Sequence, residues 1–313
     1  RTFALWARLS GVAPRIAVVA GRCFAGNAVL AGSSDVIIAT QDATLGVAGP
    51  AMIAGAGLGD HAPEEIGPAP VLAQAGVVDV LVADEVQAVE AVRGLLSTLR
   101  GAQHFEVADQ VALRTALPER ERSPYDVRPI VQTLADAGSP VFLREQFAPE
   151  LVTALATIEG RPVGVIANQT LHMAGSLTAA AGDKAARFVQ FCDSFGLPIV
   201  SLVDTPGIMA GPEAERTGIL RRASRLLVAT ARMQVPMIGV VLRRGYGLGA
   251  QAMLGGSTKE PLLTVAWPGA HMGPMGLEGA VRLAMAKELQ ALPQEQRERR
   301  VQELTASYRE HVD

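Results

Sequence analysis

Short runs of β-branched and other apolar residues recur along the chain, each bounded by glycine, proline or polar residues. The clearest runs cover residues 16–19, 36–39, 163–167, 199–203 and 238–242. Runs of this length and composition are typical of strands buried on both faces. We therefore predict a set of short buried strands rather than a few long amphipathic ones.

Segments with a helical period lie between these runs. Three stripes of side chains occur at helical spacing. One follows Asp183 and consists of Phe188, Cys192 and Phe195. Another follows Pro212 and consists of Ile219, Ala223, Leu226 and Thr230, and a third consists of Val89, Val92, Leu96 and Leu99. Such a stripe predicts a helix that packs one face against a core. Strands that alternate with helices predict an α/β fold.

One pattern occurs twice. Residues 16–26 form a buried strand that runs into a glycine-bearing turn, and Gly49-Pro50 follows after a second apolar run. Residues 238–249 repeat the strand and the turn, and Gly273-Pro274 follows at nearly the same spacing. The repeat predicts two domains of like fold, with chance similarity between Gly/Ala-rich segments as the alternative.

Composition narrows the class of protein. The chain has 313 residues, 28 basic and 31 acidic side chains and a net charge of -3. This balance predicts no nucleic-acid partner. The apolar runs are too short to span a bilayer, so we expect no membrane segment.

Two cysteines without metal-ligand spacing predict no metal site and a cytoplasmic location. The chain begins with Arg1, and we expect its native N-terminus to be missing.

The two glycine turns are the candidate chemistry. A strand that ends in a glycine turn and enters a helix leaves N–H groups unpaired at the helix N-terminus, where the helix dipole favours negative charge. Phe24-Ala25-Gly26 and Gly247-Leu248-Gly249 each fit this description. Both turns are candidate oxyanion holes. A phosphate-binding turn and a purely structural turn remain alternatives.

Two nucleotide-binding motifs are mimicked but incomplete. Residue 252 is Ala where the dinucleotide-binding G-x-G-x-x-G run ends in Gly, and no acidic residue follows in a matching strand. Residues 204–207 resemble the D-x-x-G of GTPases, but none of the three lysines, Lys184, Lys259 and Lys287, lies in a phosphate loop. Neither nucleotide function is favoured.

Side-chain acids and bases are sparse in the glycine turns, and no G-x-S-x-G elbow is present, which disfavours a serine hydrolase. We interpret His61, His172 and His271 as surface or packing residues. Glu278 is either a general acid or a carboxylate in the first turn of a helix. We interpret Asp204 as a cap of the turn before the helix near Pro212. Catalysis by backbone dipoles alone requires that another molecule supplies the base.

Several ordered segments carry a resemblance to a known family: residues 160–169, 183–193, 198–207, 245–253 and 266–268, with Met275-Gly276. They resemble the carboxyltransferase (β) subunits of biotin-dependent acyl-CoA carboxylases of the acetyl-/propionyl-CoA type. The resemblance implies two crotonase-like β-β-α spiral domains, the N-terminal one incomplete in this chain.

The resemblance divides the chain into three parts. Residues 1–100 correspond to the C-terminal part of the N-terminal domain, and residues 124–313 to the C-terminal domain. Residues 101–123 lie between them, with a charged cluster at 119–122 after Pro118. That composition is typical of an interdomain connector.

The resemblance also implies a mechanism. Carboxybiotin on a separate carrier releases CO2, the freed ureido N1 removes the α-proton of an acyl-CoA, and the enolate captures CO2. The N–H groups of Ala25 and Gly26 would then stabilise the thioester enolate. Those of Leu248 and Gly249 would stabilise the ureido oxygen. The implied reaction is that of a ligase that forms a C–C bond, and it belongs to fatty acid metabolism.

Further residues and partners follow from the same resemblance. Expected substrate-binding residues are Gly49, Pro50, Tyr246, Gln251 and Gly273. Gln251 stands where propionyl-preferring members carry Asp, so the acyl-chain preference does not transfer. Expected partners are a biotin carboxylase or biotin carboxyl carrier subunit and further copies of the chain in a hexamer (trimer of dimers). A decarboxylase subunit and a catalytically inactive scaffold remain alternatives.

The proposed holes lead to an expectation about substitutions. Val at Gly26 or at Gly249 is expected to leave the fold intact and to lower kcat by about two to three orders of magnitude. Ala at any of the three histidines is expected to cost less than about tenfold.

Overall fold

The computed structural model describes residues 1–120 and 122–312. Two residues covered by the predicted domain ranges, Glu121 and Asp313, lie outside the described residues. The described part of the chain alternates strands and helices throughout. This arrangement confirms the predicted α/β fold class.

The strands, in chain order, are β1 Ile16–Val19, β2 Arg22–Phe24, β3 Val36–Thr40, β4 Thr44–Gly46, β5 Val80–Val82, β6 Val141–Leu143, β7 Leu151–Ile158, β8 Arg161–Asn168, β9 Ile199–Thr205, β10 Met237–Tyr246, β11 Leu263–Ala266 and β12 His271–Gly273. All five predicted runs lie in strands. The strand predicted over 238–242 is longer than expected, because β10 continues to Tyr246.

The α-helices are α1 Thr2–Arg8, α2 Gly26–Gly32, α3 Pro50–Gly55, α4 Ala69–Gln74, α5 Glu85–Arg100, α6 Arg128–Leu134, α7 Ala179–Ser194, α8 Pro212–Arg216, α9 Ile219–Arg232, α10 Gly247–Met253, α11 Leu277–Ala284, α12 Ala286–Ala291 and α13 Gln294–Val312. Short 3₁₀ helices cover Pro63–Glu65, Gln110–Thr115 and Met173–Gly175. The three predicted helical stripes lie on α5, α7 and α9, except that Phe195 is the residue that follows the end of α7.

The largest sheet has the strand order β11-β10-β9-β8-β7-β6, and β12 also pairs with β10. Strand β7 pairs antiparallel with both β6 and β8. The pairs β8–β9, β9–β10, β10–β11 and β10–β12 are parallel. A three-stranded parallel sheet, β1-β3-β5, and a two-stranded parallel sheet, β2-β4, form the first part of the chain.

The repeat seen in the sequence is present in the strand pairing. In the first copy, β1 pairs with β3 and β2 pairs with β4, with Phe24 opposite Gly46. In the second copy, β10 pairs with β11 over its first half and with β12 over its second half, with Tyr246 opposite Gly273. A short helix, α2 or α10, follows the strand in both copies.

The core extends across both copies of the repeat. The largest apolar cluster includes Ile38 of β3, Leu95 of α5, Leu155 of β7 and Val203 of β9. Residues of the predicted connector take part in a second cluster, because Leu113 and its neighbours 116–117 pack against it. The connector is therefore packed on the larger sheet, and its role as a domain boundary stays a prediction.

Lys184 is a buried cation in α7. Its Nζ atom donates to four backbone carbonyl oxygens, those of Arg144, Phe147, Ala148 and Leu151, at 2.6–3.3 Å. These contacts fix the segment that leads into β7. Burial lowers the pKa of Lys184 to about 7 from an ordinary value of 10.5.

This pKa predicts a pH dependence of stability. Between about pH 7 and about pH 10 the unfolded chain binds a proton at Lys184 that the folded chain lacks. The free energy of unfolding should therefore rise with pH in this window, with a contribution of up to ~1.4 kcal/mol per pH unit. Urea titrations of the wild type and of Lys184→Met measure it. Lys184→Met should lose this slope and exposed Lys287→Met should keep it; an unchanged slope in Lys184→Met would contradict the account.

Candidate functional site: two glycine turns

The first glycine turn joins β2 to α2. Ala25 lies between them with φ 54°, a left-handed backbone conformation that is uncommon for a residue with a Cβ. The Ala25 N–H donates to the carbonyl oxygen of Gly46 at 3.0 Å. Because this N–H is already bonded, the assignment of Ala25 as an oxyanion donor is corrected.

The amides that remain in this turn belong to the first residues of α2, Gly26 and Asn27. The N–H groups of a first helical turn have no acceptor within the helix. Among the described residues, no turn or loop hydrogen bond uses the N–H of Gly26. Gly49 lies beside the turn, since a Cβ on Gly49 would be 3.4 Å from the Phe24 ring. Pro50 then begins α3.

The second glycine turn joins β10 to α10. Gly247 has φ 57°, and a Cβ there would lie 2.9 Å from the carbonyl oxygen of Pro274, so this position requires glycine. Leu248 points its side chain outward with 68% exposure. Among the described residues, no turn or loop hydrogen bond uses the N–H of Leu248 or of Gly249. The role of these two amides as an oxyanion donor pair stays a prediction.

Gly249 is buried against the chain segment that follows β9. A Cβ on Gly249 would lie 2.5 Å from the carbonyl carbon and 2.7 Å from the Cα of Gly207. Backbone atoms cannot move aside as a flexible side chain can. The expectation that Val at Gly249 leaves the fold intact is therefore wrong on steric grounds, whereas Gly26 meets only the Phe3 ring, at 3.3 Å.

A cavity of about 460 Å³ opens beside the second turn. Two of the predicted substrate-binding residues, Tyr246 and Gly273, line it, together with Arg244 and His271. Gln251 is half-buried on α10 and is not among the described residues that line this cavity. The structure thus brings two predicted substrate-binding residues together, whereas Leu248, Gly249 and Gln251 are not among the described residues that line this cavity.

Charged groups stand at the rim of this cavity. Glu278, in the first turn of α11, accepts hydrogen bonds from Arg282 and Arg122. These hydrogen bonds lower the pKa of Glu278 below its ordinary value. Glu278 therefore stays ionised at neutral pH. Of its two interpretations, the geometry supports the helix N-terminal carboxylate rather than the general acid.

The three histidines lie in different places. His61 is exposed, with Nδ1 3.9 Å from a Glu65 carboxylate oxygen. His172 lines a small cavity beside Lys184, and His271 lines the large cavity. The sequence indicates surface or packing roles for all three, and His271 is the one that the structure places at the candidate site.

Sequence reasoning missed a buried ion cluster next to the second turn. Asp204 is fully buried at the end of β9. Its Oδ1 accepts from Nε of Arg244 at 2.8 Å, and its Oδ2 accepts from Nε of Arg243 and from the Tyr125 hydroxyl, both at 2.9 Å. We call these four residues the Asp204 cluster. The interpretation of Asp204 as a turn cap is corrected, since Gly211 precedes α8.

A change of register explains how two adjacent arginines reach one carboxylate. Consecutive side chains of a regular strand point to opposite faces. The pairing of β10 with β9 shifts between Val241 and Gly245, and Arg243 and Arg244 lie inside that irregular stretch. Such a bulge redirects a side chain. A bulge leaves no periodic signal in the sequence, which is why the cluster was not predicted.

Both cysteines, Cys23 and Cys192, are free, and burial raises the pKa of each thiol. In the described part of the chain, no group of three or more His, Cys, Asp or Glu side chains is placed to hold a metal ion. No helix among the described residues is long and apolar enough to cross a membrane.

These features define a class of protein: an α/β chain in which a strand, a glycine turn and a short helix occur twice. The chain belongs to the carboxyl transferase domain family, whose model matches residues 1–312. The family resemblance and the crotonase-like fold are thereby confirmed.

Individual relatives agree with this assignment. The chain is 36% identical over 294 residues to the 12S subunit of methylmalonyl-CoA carboxyltransferase from Propionibacterium freudenreichii subsp. shermanii, covering 91% of this chain and 56% of that protein. It is 33% identical to the beta6 subunit of a biotin-dependent acetyl-/propionyl-coenzyme A carboxylase from Mycobacterium tuberculosis, covering 98% of this chain and 66% of that subunit. The chain thus spans between about half and two thirds of these relatives' lengths.

Two solved structures are similar to this chain in fold and sequence. A single-chain, multi-domain long-chain acyl-CoA carboxylase superposes with a TM-score of 0.93 at 46% identity, covering 99% of this chain and 32% of that one. The transcarboxylase 12S structure with bound methylmalonyl-coenzyme A superposes with a TM-score of 0.85 at 34% identity, covering 97% of this chain and 61% of that one.

Proposed function

We propose that the protein is the carboxyltransferase component of a biotin-dependent acyl-CoA carboxylase and moves a carboxyl group from carboxybiotin to the α-carbon of an acyl-CoA. The observation that carries the proposal is the second glycine turn. Its two amides, on Leu248 and Gly249, stand at the N-terminus of α10. Tyr246, which immediately precedes this turn, lines a cavity large enough for a small ligand. The names of the relatives support the same reaction.

The work of the chain in this reaction is to stabilise oxyanions. Amides fixed in advance by α2 and α10 do not have to reorient when negative charge develops on a carbonyl oxygen. Removing one such donor costs about 3 kcal/mol in other enzymes. In the first turn we assign this role to Gly26, with Asn27 in place of Ala25. Gly49 and Pro50, beside this turn, stay proposed substrate contacts.

Biotin supplies the carboxyl group, and we propose that a separate carrier protein brings it. The residues present fit a ureido oxygen, because Leu248 and Gly249 offer two N–H donors in the first turn of α10. Tyr246 and Gly273 line the adjacent cavity and would contact the rest of the ligand.

We further propose that a biotin carboxylase or biotin carboxyl carrier subunit is the partner, and that copies of the chain assemble as a hexamer in the cytoplasm. The 12S relative, whose structure is described as a hexamer assembly, supports the oligomer. The large apolar side chains exposed on β11 and α9, such as Leu263 and Leu220, are consistent with surfaces that associate.

Transfer of label from 14C-bicarbonate tests the proposal. The complete protein is mixed with its carrier, biotin carboxylase, ATP and a series of acyl-CoAs, and radioactivity in each acyl-CoA is measured. We expect label in at least one acyl-CoA. Label in none would contradict the proposal and favour an inactive scaffold. Activity found only in a sodium-linked membrane complex would favour the decarboxylase instead.

The proposed role of Gln251 in acyl-chain selection makes a separate prediction, although Gln251 does not line the cavity described above. If Gln251 sets the wall against which the acyl chain rests, Gln251→Ile should change the ranking of acetyl-, propionyl- and branched acyl-CoA by kcat/KM, because one methylene is worth about 1–3 kcal/mol in a fitted pocket. Gln290→Ile on α12 is the matched control and should keep the ranking. An unchanged ranking for Gln251→Ile would remove Gln251 from the site.

A further inference from the structure

The Asp204 cluster joins the end of β9, which leads to Gly207, to the end of β10, from which the second glycine turn arises. We propose that Asp204 and Tyr125 are positioning residues that hold the Leu248 and Gly249 amides in the geometry that carboxyl transfer requires. The inference rests on the proposed function. It assigns no contact with substrate to either residue.

On the side of β9, Asp204 is connected to the second glycine turn through Gly207. Gly207 follows Asp204 by three residues and lies against Gly249 so closely that no Cβ fits between them. The Gly207 carbonyl oxygen accepts from the Leu177 N–H at 3.0 Å, which holds Gly207 from its other side. A shift of the Asp204 backbone would therefore move Gly207 and change the surface on which Gly249 rests.

On the side of β10, the two arginines of the cluster immediately precede Gly245 and the turn. Arg243 also donates from Nη1 to the Ser123 carbonyl oxygen at 2.8 Å, and Arg244 donates from Nη2 to the Ala174 carbonyl oxygen at 3.0 Å. Each guanidinium thus connects Asp204 to a second loop. The end of β10 is held at its bulge, where regular strand pairing is interrupted.

Tyr125 supplies the third donor. Its ring lies under Arg243, with the guanidinium carbon 5.0 Å from the ring centroid. Burial and the Asp204 carboxylate raise the pKa of Tyr125, so the hydroxyl keeps its proton and donates. Removing this hydroxyl leaves both ion pairs of Asp204 in place. Tyr125→Phe therefore loosens the cluster without leaving a buried charge unpaired.

Amide hydrogen exchange and steady-state kinetics on the complete protein test the inference. In Tyr125→Phe we expect exchange in the segment 245–253 to be at least about tenfold faster than in the wild type. We expect kcat for carboxyl transfer to fall by about five- to thirtyfold, with KM for acyl-CoA within about twofold, since only the transition-state interaction is disturbed.

Thr153→Val is the matched control, because it also removes one buried hydroxyl, which donates to the Leu143 carbonyl oxygen away from the turn. It should destabilise the protein without faster exchange at 245–253 and without loss of kcat. Unchanged exchange in Tyr125→Phe would overturn the inference whatever the enzyme catalyses. Equal effects of both variants would overturn it too, in favour of general destabilisation. A wild type that labels no acyl-CoA would instead refute the proposed function.

Discussion

Leu248→Pro should lower kcat for carboxyl transfer by about two to three orders of magnitude while the protein stays folded. Proline removes the N–H outright, and it is tolerated in the first turn of a helix because that N–H has no helical acceptor. Gly247 before it has no Cβ for the proline ring to meet. The expected loss is that of one preorganised oxyanion donor. Steady-state kinetics with carboxylated carrier measure it, and thermal unfolding checks the fold.

Leu248→Ala is the control for this prediction. It removes an exposed side chain and keeps the amide, so kcat should stay within about threefold of the wild type. His271→Ala, at the cavity, should cost less than about tenfold. If His271→Ala were inactive while folded Leu248→Pro kept near-full activity, side-chain acid/base chemistry rather than backbone amides would run the site.

Gly249→Ala should lower the free energy of unfolding by about 2–4 kcal/mol, and the same change at Gly26 should alter it by less than about 1 kcal/mol. The added Cβ at Gly249 meets the Gly207 backbone at 2.5 Å, whereas at Gly26 it meets only the Phe3 ring at 3.3 Å. Overpacking against rigid backbone is the costly case. Urea denaturation of both variants measures the difference.

The comparison is informative because both glycines lie in the first turn of the helix that follows a strand, Gly26 in α2 and Gly249 in α10. Equal stability of the two variants would mean that the approach of Gly207 to Gly249 is looser than the structure has it. A destabilised Gly249→Ala also means that loss of activity there cannot be assigned to the amide. The proline variant is therefore the cleaner test of the donor pair.

The fold could be predicted from the sequence because its main determinants are local. A buried strand is recognisable from a short apolar run, and all five predicted runs lie in strands. The repeat was visible for the same reason, since Phe24 and Tyr246 each end a strand before a glycine turn. The packing of residues 101–123 could not be predicted from their own sequence, because Leu113 packs against a sheet formed elsewhere in the chain.

The site was predicted only in part because its remaining features depend on contacts between distant residues. Whether the Ala25 N–H is free depends on Gly46, which reaches it only through the pairing of β2 with β4. Whether Val fits at Gly249 depends on Gly207. The Asp204 cluster needs a bulge that brings Arg243 and Arg244 to one side. None of these contacts leaves a pattern in the neighbouring sequence.

We propose that paired backbone amides at the second glycine turn support carboxyl transfer. A single-turnover experiment tests it most directly: the carrier is loaded with 14C-carboxybiotin, mixed with the complete protein and acyl-CoA, and the rate at which label enters acyl-CoA is followed. We expect rapid transfer by the wild type and by Leu248→Ala. Folded Leu248→Pro, which lacks the Leu248 N–H, should transfer label at least about a hundredfold more slowly. Equal rates for Leu248→Ala and Leu248→Pro would contradict it.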